Sequence, residues 1–421
     1  MLQRSDKVEH DVNADIKKIK NILIAAFLIR LIMMVIVMFS GSWSGAFFGD
    51  ITRGDDWRYL AGAENYLKSA DSLIDREAFT SSYAVYGDWV GYESQNILVS
   101  PVLWYWIVCV VVYITKTKWA ISFFNILLSV FSIIYVYKFT VSVYGKKTAL
   151  LTVKLLAFLP YPVIFCIFGY KEQLAMLCTF YLLYKAVCIR YTNLIGAKNV
   201  IKIIFASIVL VGIRSGVSII LIGLCAVISF FNYSSVAKKN QLKIFFIALI
   251  VFVTVIIFIL MTSDTIIYKF NAYLGSDQNV SDNSTLSFLL IRDVIDLWKL
   301  PLAYLFSIIV PIGLFQPIDS WSDVVGILDL VMAPVAVGAT MYIIEKKRDK
   351  VVYWCCFAYY TIYLISSLNI SRHYAALVPL SYIAFAEFQN ESNISKKNIC
   401  ILLTLVLEAL LIAYYSFKAV R

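Results

Sequence analysis

The amino-acid sequence predicts an all-α polytopic membrane protein: roughly eleven transmembrane helices, a long external first loop carrying interfacial helices, and no separate soluble domain. Three observations carry this expectation. Of 421 residues, 61% are hydrophobic and 15% charged, and the mean hydropathy is +0.79, whereas soluble domains hold about 45–50% apolar and about 25% charged residues. Apolar runs approaching the roughly 20 residues of a spanning helix recur along the chain. The basic residues behind the net charge of +10 lie in short clusters between those runs: Lys17, Lys18 and Lys20; Lys146 and Lys147; Lys238, Lys239 and Lys243; Lys346, Lys347 and Arg348; Lys396 and Lys397. Short cytoplasmic loops collect Lys and Arg in this way. The basicity therefore reads as topology. Membrane lipids are expected partners and nucleic acid is not.

Each element follows in order. Residues 1–20 are polar and form an expected cytoplasmic tail. The first apolar run lacks a small-residue cleavage site and is expected to anchor the chain. Residues 21–421 form one expected transmembrane domain. Ile22–Phe39 crosses outward into an external loop over residues 40–100. Pro101–Thr115 is short for a span and suits an interfacial or re-entrant helix. Ala120–Phe139 returns the chain inside, so the Gly145-Lys146-Lys147 turn is internal. Thr148–Phe168 crosses outward and leaves Tyr170-Lys171-Glu172 outside. Leu174–Ile189, Ile203–Ile213 and Val217–Phe231 then place Arg190–Lys202 inside, Arg214 outside and Lys238–Lys243 inside. Ile244–Met261 leads to a second external loop, residues 262–299. Leu302–Phe315 carries Pro301, Pro311 and Pro317 in or beside it and is expected not to span. Val324–Ile344 puts Glu345–Lys350 inside. Val351–Leu368 puts Asn369–Arg372 outside, Tyr374–Phe388 puts Gln389–Asn398 inside, and Ile399–Phe417 closes the set. All eight cysteines fall in apolar runs, so neither a disulfide framework nor a zinc site is expected.

Polar residues on the external side are the informative ones, because charge at membrane depth is costly. Tyr59, Ala63, Tyr66 and Leu67 follow helical spacing. Asp55 and Asp56 then stand at or near the start of an amphipathic helix lying on the membrane, as helix caps or as functional carboxylates. Lys171 and Glu172 open another helix, where Glu172 also suits the helix dipole. Arg214 lies between two short apolar runs. Arg372 opens a helix against its dipole, which points to an anionic partner, a carboxylate or a phosphate. His373 follows it, one of only two histidines in the chain. Arg30 and Lys154 sit inside spans, where snorkelling or internal ion pairing is expected. The sequence has no GxxxxGK[ST], GxSxG, HExxH or CxxC motif. Carboxylates and arginines on one side suit acid–base chemistry beside a bound phosphate.

Several segments together resemble a membrane glycosyltransferase of the GT-C superfamily, the class that includes protein O-mannosyltransferases and lipid A aminoarabinose transferases. Asp55-Asp56-Trp57-Arg58-Tyr59-Leu60-Ala61 is similar to the acidic residue with following Tyr and Ala in that family's first external loop. Asn96-Ile97-Leu98-Val99-Ser100-Pro101-Val102-Leu103 resembles its Pro-Pro-Leu segment, with Ser100 replacing the first proline. Phe124-Asn125-Ile126-Leu127, Tyr144-Gly145-Lys146-Lys147-Thr148-Ala149 and Leu159-Pro160 follow in family order. Tyr170-Lys171-Glu172 falls where a second acidic residue is common. Ser371-Arg372-His373-Tyr374 and Pro379 are similar to the family's Arg-Tyr and Pro pair. Leu314-Phe315-Gln316-Pro317 to Trp321 resembles membrane proteins of bacterial surface-polysaccharide clusters.

The resemblance implies inverting transfer of a sugar from a polyprenyl-phosphate-linked donor to a lipid-linked glycan, glycolipid or protein at the outer face of a bacterial cytoplasmic membrane. By the same resemblance Asp55 or Asp56 is the catalytic base. Arg372, with Arg214 and His373, contacts donor phosphate, and Glu172 with Lys171 orients the site or meets the acceptor. No cofactor is expected. Asp55 and Asp56 could hold a divalent cation through oxygen, but nothing in the His-poor sequence indicates one. Two alternatives stay open. One is a polymerase acting on polyprenyl-diphosphate-linked repeat units, for which the arginines matter more than the aspartates. The other is a polysaccharide transporter or flippase, against which the absence of an internal repeat counts.

Overall fold

The computed structural model describes residues 2–40, 55–82, 102–192, 197–230, 298–309, 321–366 and 376–420. Among these residues every regular element is helical. The expected tail and first span form one helix, α1 (Leu2–Ser40). It is followed by α2 (Asp55–Ser69), α3 (Val102–Thr115), α4 (Trp119–Tyr144), α5 (Lys146–Phe158), α6 (Pro160–Phe165) and α7 (Glu172–Thr192). Then come α8 (Ala197–Ile213), α9 (Ser215–Phe230), α10 (Leu300–Phe306), α11 (Trp321–Leu328), α12 (Ala333–Met341), α13 (Lys350–Ser366), α14 (Val378–Glu391) and α15 (Ile394–Val420). Three segments among the described residues are long and apolar enough to cross a membrane: Ile19–Ser40, Trp119–Tyr144 and Glu172–Tyr191. Leu103–Thr115, Val217–Ser229 and Leu330–Ile344 are shorter apolar helices. The expected span Ile244–Met261 lies outside the described residues.

The most extensive helix pair is α4 with α7. Its packing follows from the buried stripe Ser122, Asn125, Ser129, Ser132, Val136 and Thr140 on α4. Small side chains three and four residues apart let neighbouring backbones approach closely. Their hydroxyls stay satisfied inside the bundle, with Ser132 donating to the Leu128 carbonyl and Thr140 to the Val136 carbonyl, both at 2.7 Å. Around this pair, α1 and α5 pack on α4, α8 and α9 pack on α7, and α13 packs on α9. Beyond them α14 lies against α5 and α12, and α15 against α12.

The expected single span Thr148–Phe168 is broken. α5 stops at Phe158, Leu159 is extended (φ −71°, ψ 146°), and the short α6 starts at Pro160. Proline has no N–H, so the Leu156 carbonyl four residues earlier loses its helical donor. Arg30 supplies the replacement. Its Nη2 donates to the Leu156 carbonyl at 2.7 Å and its Nη1 to the Ala157 carbonyl at 3.1 Å, while Nε reaches Ser129 Oγ at 3.2 Å. The side chain is fully buried. Arg30 therefore neither snorkels nor pairs with a carboxylate among the described residues; it terminates a helix on a neighbouring segment. Lys154 is exposed, as snorkelling requires.

Polar turns gather at two ends of this bundle. At one end stand Gly145, Arg190, Glu345 to Asp349 and Glu387 to Lys396, tied by ion pairs. The other end holds the turn before α7, the first turn of α2, Arg214 and the last turns of α13.

Candidate functional site

The turn between α6 and α7 organises the second end. Three successive carbonyls are held from outside it. Asn125 Nδ2 donates to the carbonyls of Phe168 (2.6 Å) and Tyr170 (3.0 Å), and Trp104 Nε1 donates to that of Gly169 (2.9 Å). Phe165 stacks on Tyr170 with centroids 4.8 Å apart, and Tyr161 stacks on Phe165 at 5.2 Å. A turn fixed in this way presents Lys171 and Glu172 at the start of α7 in a defined direction.

α2 is seated on that turn. A Cβ at Gly169 would stand 3.4 Å from the Asp56 carbonyl oxygen and 3.6 Å from Leu60 Cγ, ordinary contact distances that place the first turn of α2 directly against this turn. The apolar face predicted from Tyr59, Ala63 and Tyr66 is buried. Its cover is protein, because α2 packs along α3. Tyr66 meets the ring of Tyr113 edge-on at 6.0 Å, and a Cβ added at Gly62 would sit 2.7 Å from the ring of Tyr105. The expectation of a helix lying on the membrane is corrected for this face.

Asp55 and Asp56 are the first two residues of α2. Asp56 is fully buried, which separates it from an ordinary cap carboxylate facing water. Asp55 opens the helix. Lys171 Nζ donates to Tyr59 Oη at 3.4 Å, joining the turn to α2 a second time.

Glu172 and Arg214 form the ionic element of the site. Arg214 Nη2 lies 3.0 Å from Glu172 Oε1, and the two side chains are 14% and 2% exposed. The guanidinium carbon also stands 4.8 Å from the centre of the Tyr363 ring, a cation–π contact that brings α13 into the site. Among the described residues, Glu172 Oε2 and Arg214 Nε have no hydrogen-bond partner, although both atoms are buried. A buried ion pair normally satisfies its remaining lone pairs and protons. Among the described residues this pair leaves one acceptor and one charged donor unmatched. Among the described residues, no group of three or more His, Cys, Asp or Glu side chains is placed to hold a metal ion.

The structure thus brings Asp56, Lys171, Glu172 and Arg214 to one end of the bundle. Arg372 and His373 lie outside the described residues. Asn125, Trp104, Gly169 and Tyr363 complete the site, and none of them stood out as a candidate in the sequence. The signal for Asn125 was available as an amide inside an otherwise apolar run, since polar groups at such depth are retained for a reason. The other three depend on tertiary contacts. The fold is an all-helical bundle with segments able to cross a membrane, and its site is built from carboxylates and cations at one end. Comparison with family models, with curated proteins and with solved structures finds no match.

Proposed function

We propose that the chain is a multi-pass membrane glycosyltransferase that moves a sugar from a polyprenyl-phosphate-linked donor to a lipid-linked glycan, glycolipid or protein. The observation that carries this reading is the burial of Asp56 against the turn that presents the Glu172–Arg214 pair. A carboxylate withdrawn from water at the same end of the bundle as Lys171 and Arg214 suits a base working next to a phosphate leaving group.

Membrane residence is supported by the outer faces of the bundle. On α8 the exposed residues Ile201, Ile204, Phe205 and Ile208 recur at helical spacing. On α15 the exposed set runs from Ile399 to Ile412. Contiguous apolar surface of this extent calls for a lipid or protein cover. The gathering of polar turns at two ends agrees with multiple crossings. The basic end suits the cytoplasm by the distribution of lysine and arginine, which leaves the Asp56 end outside.

In the reaction, an acceptor hydroxyl oxygen attacks the anomeric carbon of the donor. The new glycosidic C–O bond forms as the C–O bond to phosphate breaks. The hydroxyl proton passes to the Asp56 carboxylate, or to Asp55 beside it, and the polyprenyl phosphate departs as an anion. Lys171 and Arg214 stabilise that anion, with Arg372 and His373 as further phosphate contacts. One displacement inverts the configuration at the sugar carbon.

Arg214 Nε, without a partner among the described residues, also favours a second reading, polymerisation of polyprenyl-diphosphate-linked repeat units, in which the arginine does more than the aspartates. The experiment reconstitutes the purified protein with a radiolabelled polyprenyl-phosphate sugar and lipid extract as acceptor. Wild type is expected to move label into acceptor, and Asp56→Asn is expected to lose that transfer while remaining folded. Retained transfer in Asp56→Asn removes the base from the mechanism. No turnover of the donor by folded wild type, with turnover of diphosphate-linked oligosaccharide instead, moves the assignment to the polymerase.

A further inference from the structure

Two arginines of the bundle meet a carboxylate away from water, and they do it differently. Arg190 closes a fork on Asp349: Nε donates to Oδ2 at 3.0 Å and Nη2 to Oδ1 at 3.3 Å. Two parallel N–H groups on two carboxylate oxygens are a frequent geometry for such a pair. Arg214 makes one tooth of that fork only. Its Nη2 donates to Glu172 Oε1 at 3.0 Å. The atoms that the second tooth would join, Arg214 Nε and Glu172 Oε2, are both buried and have no hydrogen-bond partner among the described residues. Water access does not explain the difference, because the side chains are 3% and 11% exposed in the closed pair and 14% and 2% in the open one.

Leaving a buried donor and a buried acceptor unmatched costs free energy at each atom. The group that would relieve both is defined by its protons. It has to accept from Nε–H and donate to Oε2. A phosphate oxygen has no proton to give and brings negative charge against the carboxylate. An ammonium has no lone pair for Nε–H. A hydroxyl meets both demands with one oxygen atom.

We infer that the open fork of Arg214 and Glu172 binds one hydroxyl of the donor sugar. The inference rests on the donor proposed above, a sugar carried on polyprenyl phosphate. With Arg214 beside the donor phosphate, the hydroxyl within reach belongs to the sugar on that phosphate. It stands on a carbon that does not react, since the acceptor hydroxyl gives its proton to Asp56 or Asp55. The fork therefore selects the donor, and no bond forms or breaks at it. A site built to hydrogen-bond a substrate hydroxyl rejects the analogue that lacks it, because its buried polar groups then stay unpaired.

The test measures equilibrium binding to the full chain in phosphatidylcholine nanodiscs. The probes are bare polyprenyl phosphate and the same lipid carrying glucose, mannose or galactose. The quantity read is the ratio of affinities for sugar-bearing and bare lipid, in which the phosphate contact cancels. Wild type is expected to prefer at least one sugar lipid by roughly ten- to a hundredfold, the size of hydrogen bonds to charged groups. Glu172→Met combined with Arg214→Met replaces the pair by apolar side chains, an exchange that buried pairs often tolerate, and should bring the ratio close to one. Arg214→Lys keeps the charge and lacks the second tooth; it should lower the ratio too, and it keeps the test decisive if the double variant does not fold. Among monodeoxy forms of the preferred sugar, one should bind no better than bare lipid. Equal affinity of wild type for bare lipid and all three sugar lipids overturns the inference, and so does a ratio that the variants leave unchanged. A deoxy series that never loses the preference also overturns it, and assigns the fork to a water molecule. Transfer of radiolabelled sugar, measured alongside, separates this inference from the transferase reading. Transfer with a ratio indifferent to the fork sinks the inference alone, whereas a fork-dependent ratio without transfer supports it and sinks the transferase.

Discussion

The two polar ends of the bundle use similar residues and leave them in different states. At the Gly145 end Glu345, Asp349, Glu387 and Glu391 are all in ion pairs among the described residues. Glu387 Oε2 accepts from Thr148 Oγ1 at 2.6 Å, and Oε1 lies 2.7 Å from Arg348 Nε as an ion pair without hydrogen-bond alignment. Asp349 takes Arg190 at 3.0 Å, Tyr191 Oη at 3.1 Å and the backbone N–H groups of Val351 and Val352, so it also caps α13. At the Glu172 end one carboxylate oxygen and one guanidinium N–H have no partner among the described residues. Saturated pairs position helices. An unsaturated buried pair holds binding capacity at a cost in stability, and such sites are where function concentrates.

The largest expected effect separates these two roles directly. Asp56→Asn keeps shape and removes the base, so transfer should fall by about 10²–10⁴-fold, the range for general base catalysis, with little change in unfolding temperature. Asp349→Asn at the other end should do the reverse, destabilising the protein while leaving transfer per folded molecule unchanged. Transfer assays and thermal unfolding on both variants check the contrast. If both lose activity in proportion to stability, the two ends do not differ in kind.

Next in size is Arg214→Ala. It leaves Glu172 buried without its cation, which costs about 3–5 kcal/mol for a pair of this burial. Glu172→Gln combined with Arg214→Gln should recover most of that stability and none of the transfer. This coupling also means that carboxylates and arginines cannot be dissected by single substitutions here, so the double variant is the informative one. Unfolding measured on Glu172→Gln, Arg214→Gln and the double decides it, and additive losses would refute the pairing.

Arg30→Met should cost about 2–4 kcal/mol, because two carbonyls at the α5 break lose their donor, at roughly 1–2 kcal/mol each. Arg30→Lys should restore only part, since one ammonium does not reproduce the guanidinium fork. Gly62→Ala should cost about 1–3 kcal/mol through overpacking against Tyr105. An unaffected unfolding temperature in Gly62→Ala would show that α2 is not seated on α3 as described.

Much of this arrangement was legible beforehand, for physical reasons. α4 and α7 announce themselves because long apolar runs have one economical solution in lipid, a helix. The face of α2 follows from Tyr59, Ala63 and Tyr66 at helical spacing. What that face packs against does not, because a stripe of this kind fits a membrane or a neighbouring helix equally well. The break at Leu159 was marked by Pro160 and Pro162. Its partner Arg30 was hidden, because a donor to free carbonyls can come from any distance along the chain. Lys171, Glu172 and Arg214 were recognisable as charges beside apolar runs. The pairing of the last two needed α7, α8 and α13 to be brought together. Asp56 was singled out beside Asp55, and only its burial distinguishes it from a helix cap.

The smallest expected effect tests the buried lysine at the basic end, Lys347, which burial opposes and the charges of Glu345 and Glu387 partly offset. The ordinary lysine pKa is 10.5, and burial brings Lys347 to about 8. Between these values the unfolded chain holds a proton that the folded chain has released. Stability therefore rises as pH climbs from about 8 towards the tyrosine range near 10, where other groups begin to titrate. Below about 8 both states are protonated, and the buried charge weighs fully against the fold. Lys347→Met should flatten this slope and raise stability near neutral pH, by on the order of 1 kcal/mol once residual hydration of the ammonium is allowed for. Unfolding of wild type and Lys347→Met across the window, in phosphatidylcholine discs, makes the measurement. Parallel slopes for the two proteins would mean that Lys347 reaches water and that its buried charge does not govern this end of the bundle.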